Sequence, residues 1–285
     1  MTKIRNVLVG LIVPFVLAGV ASCGGGGGYD SPAAPPQSQA TVVRSASLTG
    51  GQEFPPPPVP TTATGRGAVV VDPATLEITG GITFAGLTGA PTGAHIHNAP
   101  PGLPGAIIIT LVIAGDNATA IVPAGTTLTS AQYTELLNGY LYFNVHTAGN
   151  PDGEIRGQIT GTTGVITGLA TLNSAQETPV NNSTATGRGI IVVDSATRQI
   201  LVCYATHNVA GPTAAHIHTG LPGVAGPADV VTLTAGTNVY FSPVPTTLTV
   251  QNVADLTVGY TYFNIHSGNC GTCADGEIRG QITIQ

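Results

Sequence analysis

Four short strings occur twice in this chain, in the same order. ATGRGAVVVD at Ala63 to Asp72 returns as ATGRGIIVVD at Ala185 to Asp194, and GAHIH ending at His97 returns as AAHIH ending at His218. GYLYFNVH ending at His146 returns as GYTYFNIH ending at His266, and DGEIRGQIT beginning at Asp152 begins again at Asp275. The offset drifts by only a few residues, so the repeating unit is about 120 residues long, far beyond a solenoid repeat and right for a domain with its own core. The sequence is therefore read as two tandem copies, 41–161 and 164–285, joined by the Gly/Thr-rich stretch Gly161 to Gly164.

Within each copy, apolar runs of four to eight residues alternate with Gly, Pro and Asn. In the first copy these runs are VVRSASL, AVVVD, LEITGGITFAGL, AHIH, AIIITLVI, ATAIVP, YLYFNVH and EIRGQIT. About eight strands joined by turns predict a two-sheet sandwich or flattened barrel. Composition agrees: 8% charged residues with 39 Gly and 22 Pro is poor material for helices, while 42% hydrophobic content is enough for β cores. One short helix is predicted over Ser130 to Asn138, with Ser130 as its cap. A net charge of -6 leaves no basic footprint for nucleic acid and no polybasic patch for an anionic membrane.

The N-terminus reads as an export signal over 1–22. Lys3 and Arg5 precede an apolar run from Val7 to Val20 that is short for a bilayer span. It ends in Val20-Ala21-Ser22-Cys23, which resembles the bacterial lipobox, making Cys23 the lipidated residue of the mature protein. Residues 23–40, rich in Gly, Pro and Ser and without apolar periodicity, read as a flexible tether. The expected location is extracytoplasmic, on a membrane reached only through the lipid anchor. Gly24 after Cys23 favours the outer membrane where there are two.

Strand parity assigns faces. In AHIH, Ile96 points opposite to His95 and His97; in YLYFNVH, Leu141, Phe143 and Val145 form the apolar row, leaving Tyr142, Asn144 and His146 on the other side. Glu154 and Arg156 oppose Ile155, and the second copy repeats the pattern with His216, His218, His266, Glu277 and Arg279. The histidines are thus expected on the face away from the apolar core, turned toward solvent. An H-x-H places two imidazoles about 6.5 to 7 Å apart at the backbone, within reach of one ion, and the third His completes a set suited to copper or zinc. The competing reading is a structural network in which these histidines, Glu154, Arg156 and their counterparts bond to each other and to the loop after His97. Arg66 and Arg188 are expected to anchor a carboxylate of their own copy, such as Glu154 or Glu277. Asp152-Gly153 and Asp275-Gly276 read as turns. No nucleophile elbow, P-loop or dinucleotide fingerprint is present.

Apart from Cys23, the cysteines fall in the second copy. A disulfide is expected either within the CGTC of Cys270 and Cys273 or from Cys203 to one of them, leaving one thiol over in each case.

From LTGGQEFPP at Leu48 and LNSAQETPV at Leu172 to the final EIRGQI, with G-R-G, H-I-H, Y-F-N-x-H and G-E-I-R-G-Q between them, each copy resembles the CHRD domain, named from chordin and widespread in bacterial exported proteins. The resemblance implies a Greek-key-like β sandwich, immunoglobulin-like or superoxide-dismutase-like. AHIH and the later His look like copper ligands of copper/zinc dismutases, but no bridging His or zinc cluster lies between His97 and His146. The leading expectation is a non-catalytic binding module, with an envelope or extracellular protein as the partner to look for; whether each copy also holds copper or zinc stays open between the metal and the structural-network readings of the histidines. The alternatives are a copper-dependent dismutase-like oxidoreductase and a metal-free adhesion or matrix protein.

Overall fold

A computed structural model of the chain describes residues 41–54, 58–161, 164–228, 230–243, 246–268 and 276–285. The export signal, Cys23, the tether, Cys270 and Cys273 lie outside the described residues. No helix among those described is long and apolar enough to cross a membrane.

The first repeat contains β1 (Val42–Thr49), β2 (Thr64–Val71), β3 (Ile78–Ala85), β4 (Pro91–Asn98), β5 (Ala106–Thr110), β6 (Val112–Ile113), β7 (Thr119–Ile121), helix α1 (Ser130–Leu137), β8 (Leu141–Thr147) and β9 (Asn150–Gln158). The second contains β10 (Val165–Asn173), β11 (Thr186–Asp194), β12 (Ile200–His207), β13 (Pro212–Thr219), β14 (Val231–Gly236), β15 (Val239–Phe241), α2 (Val250–Thr257), β16 (Thr261–Ser267), β17 (Ile278–Gln281) and β18 (Thr283–Ile284). The all-β expectation holds, with one short helix per repeat.

The first sheet runs β5-β4-β8-β9-β1-β2-β3-β7-β6, and its two end strands are separated in sequence only by Leu111, so the chain itself nearly closes a barrel. In the second repeat β14 pairs with both β13 and β15, and β10 pairs with β11, which closes the ring. Closure removes the exposed edges that an open sheet of this size would leave. Parity places the interior as read: Leu48, Ile96, Leu141, Phe143, Val145 and Ile155 are fully buried together in the first barrel, as are Ile217, Phe263, Ile265 and Ile278 in the second.

A third apolar cluster joins the two repeats. The outward faces of β2 and β3 meet those of β11 and β12, burying Ala68, Val70, Ile190, Val192, Leu201 and Tyr204. Tyr204 Oη accepts a hydrogen bond from Gly80 N at 3.1 Å across this contact.

Three local readings need correction. The α1 cap is Thr129: its hydroxyl accepts from Gln132 N at 3.1 Å, and Gln132 Oε1 accepts from Thr129 N at 2.8 Å. That reciprocal pair satisfies two helix-end groups, which Ser130 inside the first turn could not do. Asp152-Gly153 is not the turn, because Thr147 already pairs with Asn150 and the reversal is at Ala148-Gly149. Gly153 sits within β9 at φ 132°, where a Cβ would lie 2.5 Å from Asn144 Oδ1 and 2.7 Å from Glu53 Oε2. Cys203 is a free, buried thiol in the second core, and burial pushes its pKa well above the ordinary value. The pairing that involved it is therefore not formed.

Candidate metal centres

Strand pairing brings the three histidines of each repeat together. β4 and β8 are adjacent and antiparallel, with His95 opposite Asn144, His97 opposite Tyr142 and Gly93 opposite His146. Alternation puts His95 and His97 on one side of β4, and His146 comes up beside them from β8. Register shifts between Pro91 and Gly93 and between Val145 and Thr147 occur at this end of the pair, where bulges re-aim side chains. His216, His218 and His266 are assembled in the same way by β13 and β16.

In each trio, one ring nitrogen per histidine lies within 4.8 Å of the other two. Ring centroids are 5.5, 4.9 and 6.1 Å apart in the first repeat and 5.5, 5.1 and 5.9 Å apart in the second. Three ligands with zinc–nitrogen bonds of about 2.0 to 2.1 Å would stand roughly 3.4 Å apart around a tetrahedral ion. Side-chain adjustment of about an ångström therefore brings each trio to coordinating distance.

The hydrogen bonds decide which nitrogens face inward. His97 Nδ1 lies 2.9 Å from Gly105 O, and His146 Nδ1 lies 2.9 Å from Pro151 O. A carbonyl only accepts, so each Nδ1 carries the proton and each Nε2 presents a lone pair. Those two Nε2 atoms and His95 Nδ1 are buried with no hydrogen-bond partner among the described residues. Carbonyl-oriented imidazoles of this kind are the usual support of a metal ligand. In the second repeat His218 Nδ1 bonds Gly226 O at 2.9 Å, while His216 Nδ1 and His266 Nε2 share a proton at 3.2 Å.

Burial lowers the basicity of the group. His95 is moved to about 4 by desolvation first and then by His146 and His97; His97, His146 and His216 are lowered by the same leading cause. All four are neutral at pH 7, the form that donates to a metal.

The expectation that this face looks into solvent is overturned. His97, Arg156, His218 and Arg279 are buried under the loop that follows each H-x-H, while Glu154 and Glu277 are buried against other segments, through Thr61, Thr88 and Thr147 in the first repeat and Ser183 and Ser267 in the second. Arg156 donates to Leu103 O at 2.8 Å, Pro100 O at 3.3 Å and Gln158 Oε1 at 3.2 Å. Gln158 Nε2 donates to Ala99 O and Gly139 O. Tyr142 stacks on His97, 4.9 Å between centroids, and carries the Arg156 guanidinium 3.5 Å from its ring centre. Its hydroxyl accepts from Gly105 N at 3.0 Å, so Gly105 ties the loop to both Tyr142 and His97. Arg279, Tyr262, His218 and Gly226 repeat these contacts. Strand pattern reveals which side chains share a face but carries no information about a loop that returns to cover it.

Among the described residues Glu154 takes no part in an ion pair. Burial alone would raise its pKa, but Thr147, Thr88 and Thr61 hydroxyls and Thr88 N donate to it and hold it at about 2. Arg66 and Arg188 reach across to the other repeat instead, at 3.2 Å to Asp194 and 2.6 Å to Glu77. The β2 and β11 faces that carry these arginines are the ones that meet, which is why the carboxylate of the same copy is out of reach. His207, the seventh histidine, stays apart from the trios and lies against the Tyr240 ring.

One pair of residues at the site was missed from sequence. Glu53 accepts from Asn144 Nδ2 at 3.4 Å, and burial, partly offset by Arg156, raises it to about 7. Its counterpart Glu177 is buried and lines a cavity of about 180 Å³ with His218, His266 and Arg279. The available signal was the Gln-Glu shared by GGQEFPP and NSAQETPV.

Comparison with curated proteins and with solved structures gave no match. The family model of the CHRD domain matches twice, over residues 44–159 and 169–282. Those two segments hold both barrels and both histidine trios, and the chain belongs to the CHRD domain family as a tandem pair.

Proposed function

We propose that this protein is a lipid-anchored extracytoplasmic binding module that holds one copper or zinc ion in each CHRD domain. The observation that carries the metal reading is the convergence of three imidazole nitrogens, within 4.8 Å of one another, in both domains. Three nitrogen donors suit copper and zinc, while oxygen-seeking calcium and magnesium find no carboxylate in either trio. The buried, carbonyl-oriented Nε2 atoms of His97 and His146 support this over a purely structural network, since a network would use those lone pairs. The anchor rests on Lys3, Arg5, the apolar run to Val20 and Cys23. Metal analysis of protein purified from a periplasm is the test: two ions per chain are expected, and none in the His97→Ala plus His218→Ala variant. Metal-free wild type after exposure to both ions would end the reading. Cys23→Ala should abolish incorporation of a labelled fatty acid, and continued labelling would remove the anchor.

A further inference from the structure

In the second domain an outer cleft of about 470 Å³ opens between the segment after β10 and the turn at Pro222-Gly223. The inner cavity, about 180 Å³, lies against His218 and His266. Glu177, Thr178 and Arg279 line both hollows, so these side chains stand between solvent and the imidazoles. The first domain has a matching outer cleft of about 370 Å³ that contains Glu53 and Arg156. Its recurrence marks a feature of the domain and not an accident of one loop.

We infer that this cleft is the route by which a small anion reaches an exchangeable coordination position on the metal of each domain, facing the Glu177–Arg279 pair in the second. The inference rests on the metal reading above. Three protein ligands leave a tetrahedral ion one position for an exogenous group. His218 and His266 border the inner cavity, which places that position on its side of the trio. Its volume, about 180 Å³, is room for about six waters and so for a small anion with its hydration. Arg279 is held rigidly, donating to Leu221 O, Val224 O and Gln281 Oε1, so its charge is a fixed part of the wall. That guanidinium and a metal dication together outweigh the Glu177 carboxylate and make the interior favourable to negative charge.

The test uses the full chain carrying His97→Ala, which leaves the second site alone, loaded with cobalt(II) and titrated with azide. A saturable change in the cobalt ligand-field spectrum is expected. Glu177→Gln removes a negative charge from the route and is expected to tighten azide about tenfold. Val180→Trp, at an outer-cleft position 66% exposed and free of core packing, is expected to slow azide association several-fold. Full cobalt occupancy with no response to azide would overturn the inference while leaving the metal reading intact. An azide response unchanged by Val180→Trp would overturn the route, as would one that Glu177→Gln leaves unchanged or weakens. Failure of the trio to take up cobalt, zinc or copper would overturn the metal reading and this inference with it.

Discussion

Burial disfavours the charged form of both His95 and Glu154, but only Glu154 is given hydrogen-bond donors that keep it charged. His95 is moved to about 4 and is neutral in the folded protein, whereas the unfolded chain takes up its proton near 6.5. Stability contributed by this difference is therefore complete above pH 6.5 and lost as pH falls toward 4. Metal affinity should fall in the same window, because protons compete for the same lone pairs. Thermal midpoints measured between pH 7.5 and 4.5 should drop less steeply for His95→Gln than for wild type. Glu154, held at about 2 by three threonine hydroxyls and an amide, contributes stability above pH 4.5 that disappears as pH falls toward 2. Replacing it with Ala strands those donors, so urea denaturation should show a loss of roughly 3 kcal/mol.

At the scale of elements, the trio depends on two strands and a loop that have different origins. The β4–β8 register follows from alternation and core packing, since slipping it by one residue would turn Ile96 and Phe143 out of the core. The loop from Ala99 to Gly105 is held by carbonyl contacts to Arg156 and Gln158 and closes on Gly105. A Cβ at Gly105 would press on Asn98 O and stand 2.9 Å from the Ala99 Cβ. Gly105→Ala should therefore displace the carbonyl that orients His97 and weaken metal binding by the first domain by about 10- to 100-fold. Two-site calorimetry should find the second domain unaffected.

At the scale of the whole molecule, the joint between the repeats is an apolar cluster flanked by two half-exposed ion pairs, Arg66–Asp194 and Arg188–Glu77, and the apolar burial contributes the larger share. Ala68-Val69-Val70-Val71 and Ile190-Ile191-Val192-Val193 are buried at every position, because one side of each strand enters a barrel and the other enters the joint. Such uninterrupted runs mark strands covered on both faces. Val192→Asp, which places an unpaired charge in the joint, should uncouple the domains and split a single calorimetric transition into two. Arg66→Ala removes only an ion pair whose Arg side chain is 44% exposed, and should shift stability by less than about 1 kcal/mol.

The internal repeat, the punctuation of apolar runs and the alternation around His97 and His146 were sufficient to determine two β domains, their buried rows and the face that each histidine shares. These are local properties of the chain: parity and spacing act between neighbours and need no knowledge of distant contacts. Only the tertiary structure decided that β4 pairs with β8 and so gathers the trio, that a loop returns over His97 and Arg156, that Arg66 answers Asp194 and not Glu154, that Glu53 meets Asn144 and that Glu177 shares a cavity with His218 and His266. Each of those depends on segments far apart in sequence meeting in space, where shape and burial choose among partners that the sequence leaves equivalent.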